Sequence, residues 1–300
     1  MVGALSQHRM GLVLVTAAAV AWSTAPFFTR LLPFDAWTIL FWRGLFGGSL
    51  IIAFLLTAQG RDGLGQLMKM GWSGWLVALL STVGMVSFIP ALQLTSVANV
   101  AVINAAGPFV AAALAWALLR EVARPRTLLA SFVAFIGIAI IIGTGHAPGD
   151  MRGIILACVM TVAIAGMTVT VRRYKHTSMV AAAAVSNFLG SMVSLPFAQG
   201  ILRVTEGDVL VFAMFGFFQV ALGLTLFVLG SRYLPSGQAS LIATLETPLM
   251  PFWIWLAFAE VPAYRELVGG TLVLGAVIVD LIGDGRALKS MPLVEAHSEE

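Results

Sequence analysis

Residues 107–122 read GPFVAAALAWALLREV and residues 246–261 read ETPLMPFWIWLAFAEV. Both have a proline near the start, an unbroken apolar run and a closing Glu-Val pair. Setting Glu121 against Glu260 also pairs Arg126 with Arg265 and Leu128 with Leu267. Earlier in the chain, Gly11 stands as far from Arg30 as Gly153 does from Arg172. Matches at both ends of a long unit mark an internal duplication. The division read from them is a first repeat over 1–145, a second over 146–285 and a tail over 286–300.

Outward from these stretches the chain divides into ten apolar segments: 11–29, 36–58, 71–93, 97–119, 127–143, 153–171, 179–201, 209–231, 237–259 and 265–283. A helix needs about 20 mostly apolar residues to cross a bilayer. Hydrocarbon offers no partners to exposed backbone groups, so each segment must be helical. The expected fold class is an all-α polytopic membrane protein of ten transmembrane helices. Composition agrees: 10% of residues are charged and 59% hydrophobic, with a mean hydropathy of +0.96, against roughly 25% charged in soluble domains. The short connections are too small to bury cores of their own, which excludes a soluble catalytic or nucleic-acid-binding module. The single cysteine, Cys158, excludes an internal disulfide.

Charge fixes the expected orientation. With the N-terminus in the cytoplasm, the inner side carries Arg9, Arg61, Lys69, Arg120, Arg124, Arg126, Arg172, Arg173, Lys175, Arg232, Arg286 and Lys289. The outer side carries Arg30, Arg152, Arg203 and Arg265. Cytoplasmic loops are enriched in Lys and Arg, so both termini are placed inside. Five helices per repeat is an odd number, so the second repeat must enter from the opposite face. Inverted repeats are a common build of secondary transporters, with the substrate site near the midplane between them. A channel and an intramembrane enzyme are the rival uses of such a bundle.

At these residues the chain resembles the drug/metabolite transporter superfamily, EamA type, over essentially its whole length. The motifs are Trp22-Ser23 in the first segment, Phe41-Trp42-Arg43-Gly44 in the second, and Pro108 followed thirteen residues later by Glu121. In the second half the matching position is Thr247, and the proline has moved to Pro248. Within the superfamily the chain looks most like the YddG-type amino-acid exporters. That resemblance implies efflux of amino acids across a bacterial inner membrane through a ten-helix basket, without a cofactor, as a monomer or homodimer in the lipid bilayer.

Charged groups inside a membrane are expensive and are functional candidates by default. Glu246 lies midway along the ninth segment, where Pro248 and Pro251 disturb the helix; it would hold a substrate ammonium or carry a coupling proton. Arg43 would grip a carboxylate through its fork of donors or clamp backbone carbonyls. Asp280, near the end of the tenth segment, is expected to be structural and to reach interfacial water. The polar neutrals in the spans are Ser23, Thr24, Asn99, Asn104, Asn187, Ser191, Gln219, Thr225 and Thr244. Asn104, Asn187 and Gln219 are the deepest, and they join Trp22, Arg43 and Glu246 as the expected substrate-binding set. Trp253 and Phe88 are weaker candidates. Trp37, Trp72, Trp75, Trp116 and Tyr174 suit an interfacial belt. Pro26, Pro90, Pro108, Pro248 and Pro251 are the expected kink and gating positions. Gly44 and Gly48 form a GxxxG pair, and Gly216, Gly223 and Gly230 recur every seven residues on one expected face.

His8, His146, His176 and His297 all lie in loops or tails in this reading, so a membrane-embedded Ser–His pair is excluded. There is no HExxH and no Walker motif, and no metal ligand set. The reading that results is a secondary transporter, not an enzyme, exporting amino acids and related metabolites by alternating access. Efflux of lipophilic cations is its leading alternative.

Overall fold

The computed structural model describes residues 2–60, 65, 67, 70–95, 100, 103–142, 151–174, 179–259 and 264–289. The expected boundary at 145–146 and the candidates Asn99 and Glu260 fall outside them. All regular structure among the described residues is helical. The α-helices, numbered in chain order, are α1 (Val2–Ser23), α2 (Ala25–Leu31), α3 (Ala36–Gln59), α4 (Gly71–Leu94), α5 (Gly107–Leu119) and α6 (Pro125–Ile142). They continue as α7 (Met151–Arg173), α8 (Val180–Ser194), α9 (Glu206–Phe215), α10 (Thr225–Ser231), α11 (Ser236–Ala243), α12 (Glu246–Phe258) and α13 (Tyr264–Lys289). A π-helix, Gly216–Leu224, joins α9 to α10 without a break. Seven helical stretches are long and apolar enough to cross a membrane, and three shorter apolar helices, Gly107–Leu119, Pro125–Ile140 and Leu267–Gly283, accompany them. α13 does not stop at 283; it runs on to Lys289, into the segment read as a tail.

Three stretches are broken in the middle, and proline sets where. The first four N–H groups of a helix have no acceptor within it, so proline is tolerated there and not further in. Pro26 and Pro108 stand in the first two positions of α2 and α5, and Pro248 is the third residue of α12. Ahead of each, the chain tightens into an i→i+3 bond: Thr24 N to Ala21 O at 3.3 Å, Ala106 N to Ile103 O at 3.1 Å, Leu245 N to Ile242 O at 3.1 Å. Pro90 and Pro251 behave differently, because α4 and α12 run straight through them.

The two quoted stretches become twin helices. α5 and α12 are each 13 residues long. Each ends on a non-glycine residue in the left-handed region, Arg120 at φ 57° and Ala259 at φ 54°. L-residues avoid that region, so finding it at matching positions marks a shared local design.

Packing joins the halves rather than filling each one. α3 lies on α8, α6 on α13 and α5 on α11. α4 packs on α7, and, with the halves exchanged, the π-helix and α10 pack on α1. Matched helices run antiparallel. At one end of α3, Gln199 N donates to Asp35 Oδ2 at 3.3 Å and Gly200 N to Thr38 Oγ1 at 2.9 Å. Further along α3, Ser191 Oγ donates to Phe41 O at 2.9 Å. On α6, Thr127 meets Asp280 and Gly137 meets Gly269, so numbers rise on one helix as they fall on the other. The GxxxG pair makes the α3–α8 approach possible: a Cβ on Gly44 would stand 2.8 Å from Asn187 O, and one on Gly48 would stand 3.0 Å from the Phe188 ring.

Asp35 caps α3, accepting from Thr38 N at 2.9 Å. Burial pushes its carboxyl up, but the hydrogen bonds from Thr38 and Gln199 prevail and hold it below the ordinary carboxylate value. Gly44→Leu forces α3 off α8 and is expected to destabilise the fold by about 1–3 kcal/mol. A lowered melting temperature in detergent, with Gly60→Leu avoided as a control because of its positive φ and Gly65→Ala used instead, checks this.

Candidate functional site

Arg43 projects from α3 toward the π-helix. Its Nη1 donates to Gln219 Oε1, its Nη2 lies 3.9 Å from Met85 Sδ, and its guanidinium sits 5.6 Å over the Phe215 ring. All three partners are neutral. No carboxylate pairs with Arg43 among the described residues. Glycine explains why the two backbones can come so close: a Cβ on Gly216 would lie 2.8 Å from Gly47 N and 3.0 Å from Arg43 O.

The heptad of glycines does not form one face. Gly216 meets α3, whereas a Cβ on Gly223 would lie 2.7 Å from the Trp22 ring and one on Gly230 would lie 2.8 Å from Leu14 Cβ, both on α1. The π-helix is the reason. Its i→i+5 bonding changes the angle turned per residue, so seven residues no longer return to the same side. Nothing in the apolar pattern of 209–231 announces this, although π segments occur often at functional sites.

Trp22 packs on Phe227 at 4.9 Å between ring centroids. Its neighbour Ser23, fully buried, accepts a hydrogen bond from Trp253 Nε1 at 2.7 Å and donates to Val20 O at 2.6 Å. Ser23 thus ties the α1/α2 joint to α12. Trp253 lies seven residues, or two turns, beyond Glu246 on that helix, so both lie toward the same side. That spacing was the available signal for a larger role than the sequence reading gave Trp253. Glu246 is the first residue of α12 and only partly buried. It occupies the positive end of the helix dipole, where a carboxylate is favoured, and it pairs with no cation among the described residues.

The structure therefore brings Arg43 together with Gln219, and sets Trp22 against the same π-helix. It does not bring in the two asparagines. Asn187 is 1% exposed, lies behind Gly44 and donates to Ala183 O at 2.9 Å in its own helix. Asn104, just ahead of the Ala106 joint, is partly exposed, and makes no hydrogen bond to Arg43, Gln219 or Glu246.

The two ends of the bundle are built differently. One is aromatic: Phe28 stacks on Phe215 at 5.1 Å and Phe34 meets Phe212 at 5.6 Å, with Phe212 and Phe215 almost wholly enclosed. The other is basic. There Asp280 is 0% exposed, not open to interfacial water as the sequence suggested. It accepts from Thr127 Oγ1 at 2.9 Å, Gln238 Nε2 at 3.0 Å and Arg126 Nε at 3.5 Å. Three donors from two other helices replace the water that was expected. Thr127 and Gln238 escaped the sequence reading because each lies at a span end, where a polar residue needs no explanation. Nearby, Arg172 Nε meets Glu121 Oε2 at 3.5 Å and Arg172 Nη1 donates to Arg232 O at 3.0 Å. Asp280→Ala leaves buried donors without an acceptor and is expected to cost about 1–3 kcal/mol, visible as a lower melting temperature and a smaller folded fraction in detergent.

Comparison with known proteins adds to this geometry. A family model described as the EamA-like transporter family matches residues 9–143 and again residues 151–281, so the duplicated halves fit one pattern. An uncharacterized transporter from Archaeoglobus fulgidus is 26% identical over 274 residues, covering 90% of this chain and 96% of the relative. A protein of known crystal structure superposes with a TM-score of 0.80 at 17% identity, over 93% of this chain and 99% of its own; that likeness concerns the fold alone. Matched twice along its length by the family pattern, and built of apolar helices that interlock across the duplication, this chain belongs to the EamA-like transporter family of multi-pass membrane transporters.

Proposed function

We propose that this transporter is an exporter of amino acids, aromatic and neutral ones among them, similar to the YddG-type members of its superfamily. In this reading ten spans form two inverted five-helix repeats, with the basic end and both termini in the cytoplasm of a bacterium and the aromatic end outside. The antiparallel course of matched helices supports the inversion, and the excess of arginine at one end supports the orientation.

One observation carries the substrate reading: Arg43 is a guanidinium in the membrane interior that, among the described residues, is held only by neutral groups. A buried cation is normally paired, and a planar fork of donors matches a carboxylate. A substrate carboxylate would complete its coordination beside Gln219. Glu246 then serves the ammonium end, or carries a proton in exchange. Trp22 and Trp253 supply flat apolar walls for a side chain. The joints at Thr24, Ala106 and Leu245 let the outer and inner halves of these spans move separately, as alternating access requires.

Counterflow in proteoliposomes with a panel of labelled amino acids tests this. Saturable exchange of one amino-acid class is expected. Arg43→Ala should reduce it about ten- to a hundredfold, the loss of a charge-assisted hydrogen bond, and Arg43→Lys should recover only part because it lacks the fork. Unchanged flux in well-expressed Arg43→Ala and Glu246→Gln rejects the pocket. Lipophilic-cation efflux is the second reading, favoured by the carboxylate of Glu246, which pairs with no cation among the described residues and lies toward the same side of α12 as Trp253. It would appear as exchange of hydrophobic cations alone, sensitive to Glu246→Gln and not to Arg43→Ala.

A further inference from the structure

We infer that the Glu121–Arg172 ion pair is the latch that closes the cytoplasmic mouth, and that the Asp280 cluster beside it is the fixed pivot about which the halves move. The inference rests on the alternating-access reading above. Both features join the first repeat to the second at the basic end, but they differ in what separation would require. Asp280 is fully enclosed and takes three donors. Parting it would strand a buried carboxylate, which is strongly unfavourable. Glu121 and Arg172 are 24% and 26% exposed, so each regains water as the pair opens. Partly exposed pairs of this kind contribute little net stability and make reversible contacts.

The backbone gives the latch a lever. Glu121 N is bonded to Ala115 O at 3.3 Å and Arg120 N to Trp116 O at 3.1 Å, so Glu121 moves with α5. The other end of α5 is the joint at Ala106. Arg172, through its bond to Arg232 O, also holds the end of α10, which continues into the π-helix carrying Gln219. One guanidinium therefore clamps the tips of two elements, one leading back to the joint at Ala106 and the other to Gln219 in the central site. The seam beneath it is made to part. A small pocket there, lined by Ala112, Ala115, Glu121 and Gly237 and also by Thr127 and Gln238, lies between the latch and the cluster, and Ala112 Cβ stands only 3.6 Å from where a Gly237 Cβ would be. Small apolar surfaces slide without breaking hydrogen bonds.

The test uses the full chain with Cys158→Ser and a reporter, Ala112→Cys, in inside-out vesicles treated with a membrane-impermeant maleimide. The parent should label slowly at about 0.1 M salt and faster at about 1 M, where the screening length falls from about 10 Å to about 3 Å. Glu121→Gln should label about threefold faster than the parent at low salt, within the range of partly exposed ion pairs, and lose the salt response. Asp280→Asn should lower the melting temperature instead, with labelling of the folded fraction unchanged. Equal labelling of parent and Glu121→Gln, together with no salt response in the parent, overturns the latch; the salt comparison alone decides it if Glu121→Gln does not fold. Labelling of folded Asp280→Asn that rises as in Glu121→Gln overturns the pivot. Labelling that behaves as expected while no amino acid exchanges in counterflow keeps the latch and rejects the substrate reading, so the two fail separately.

Discussion

A peptide group surrounded by hydrocarbon has no water to bond, and this single constraint shapes the molecule. It makes every span a helix. It also decides how a span can be interrupted, because a break exposes carbonyls and amides that must be satisfied on the spot. At Thr24, Ala106 and Leu245 the chain meets this demand with tightened turns, and at Thr24 the side-chain hydroxyl adds a second bond, Thr24 Oγ1 to Ala21 O at 2.6 Å. Proline stands two or three residues beyond, where its missing N–H is no loss. The interior thus contains helix ends, with their partial charges, at a depth where a uniform helix would show only side chains.

Into this interior the sequence places two ionisable groups with no ionic partner among the described residues. Arg43 is held by an amide, a thioether and a ring; Glu246 sits at a helix start. Each is stabilised well enough for the fold to form, yet neither is neutralised by the other. A structural role alone would be met more cheaply by an apolar residue. The two ends of the bundle divide the remaining work by chemistry. The aromatic end is held by ring packing, which is indifferent to salt. At the basic end a partly exposed ion pair that water can replace sits beside an enclosed carboxylate whose donors it cannot.

The fold was largely legible before the structure. The Glu-Val pairs at 121–122 and 260–261 marked the repeat, and α5 and α12 carry that match down to the left-handed residue at each end. Pro26, Pro108 and Pro248 marked breaks because proline acts locally. Pro90 and Pro251 gave the same local signal, but their helices continue through them; the neighbours that hold such a helix are not written beside the proline. The candidate site was legible in part. Arg43 and Gln219 stand out as polar groups in apolar runs, and the structure joins them. Asn187 stood out equally, but whether an amide faces a cavity or its own helix depends on rotation about the axis, which an apolar pattern on all sides does not reveal. The π-helix was invisible for the same reason. Asp280 was placed correctly near a span end but given water as its partner, since donors from α6 and α11 are distant in the chain.

The exchange of partners between halves has a consequence for how the protein is made. α1 leaves the ribosome before the other described helices, yet its neighbours, the π-helix and α10 to α12, belong to the second half and follow much later. α3 likewise waits for α8, and α6 for α13. The early helices must sit in lipid with polar groups such as Arg43 lacking their partners from the second half, Gln219 among them, until that half is made. The halves are thus covalent successors but not self-sufficient folding units, and a split gene would yield a working protein only when both products share one bilayer.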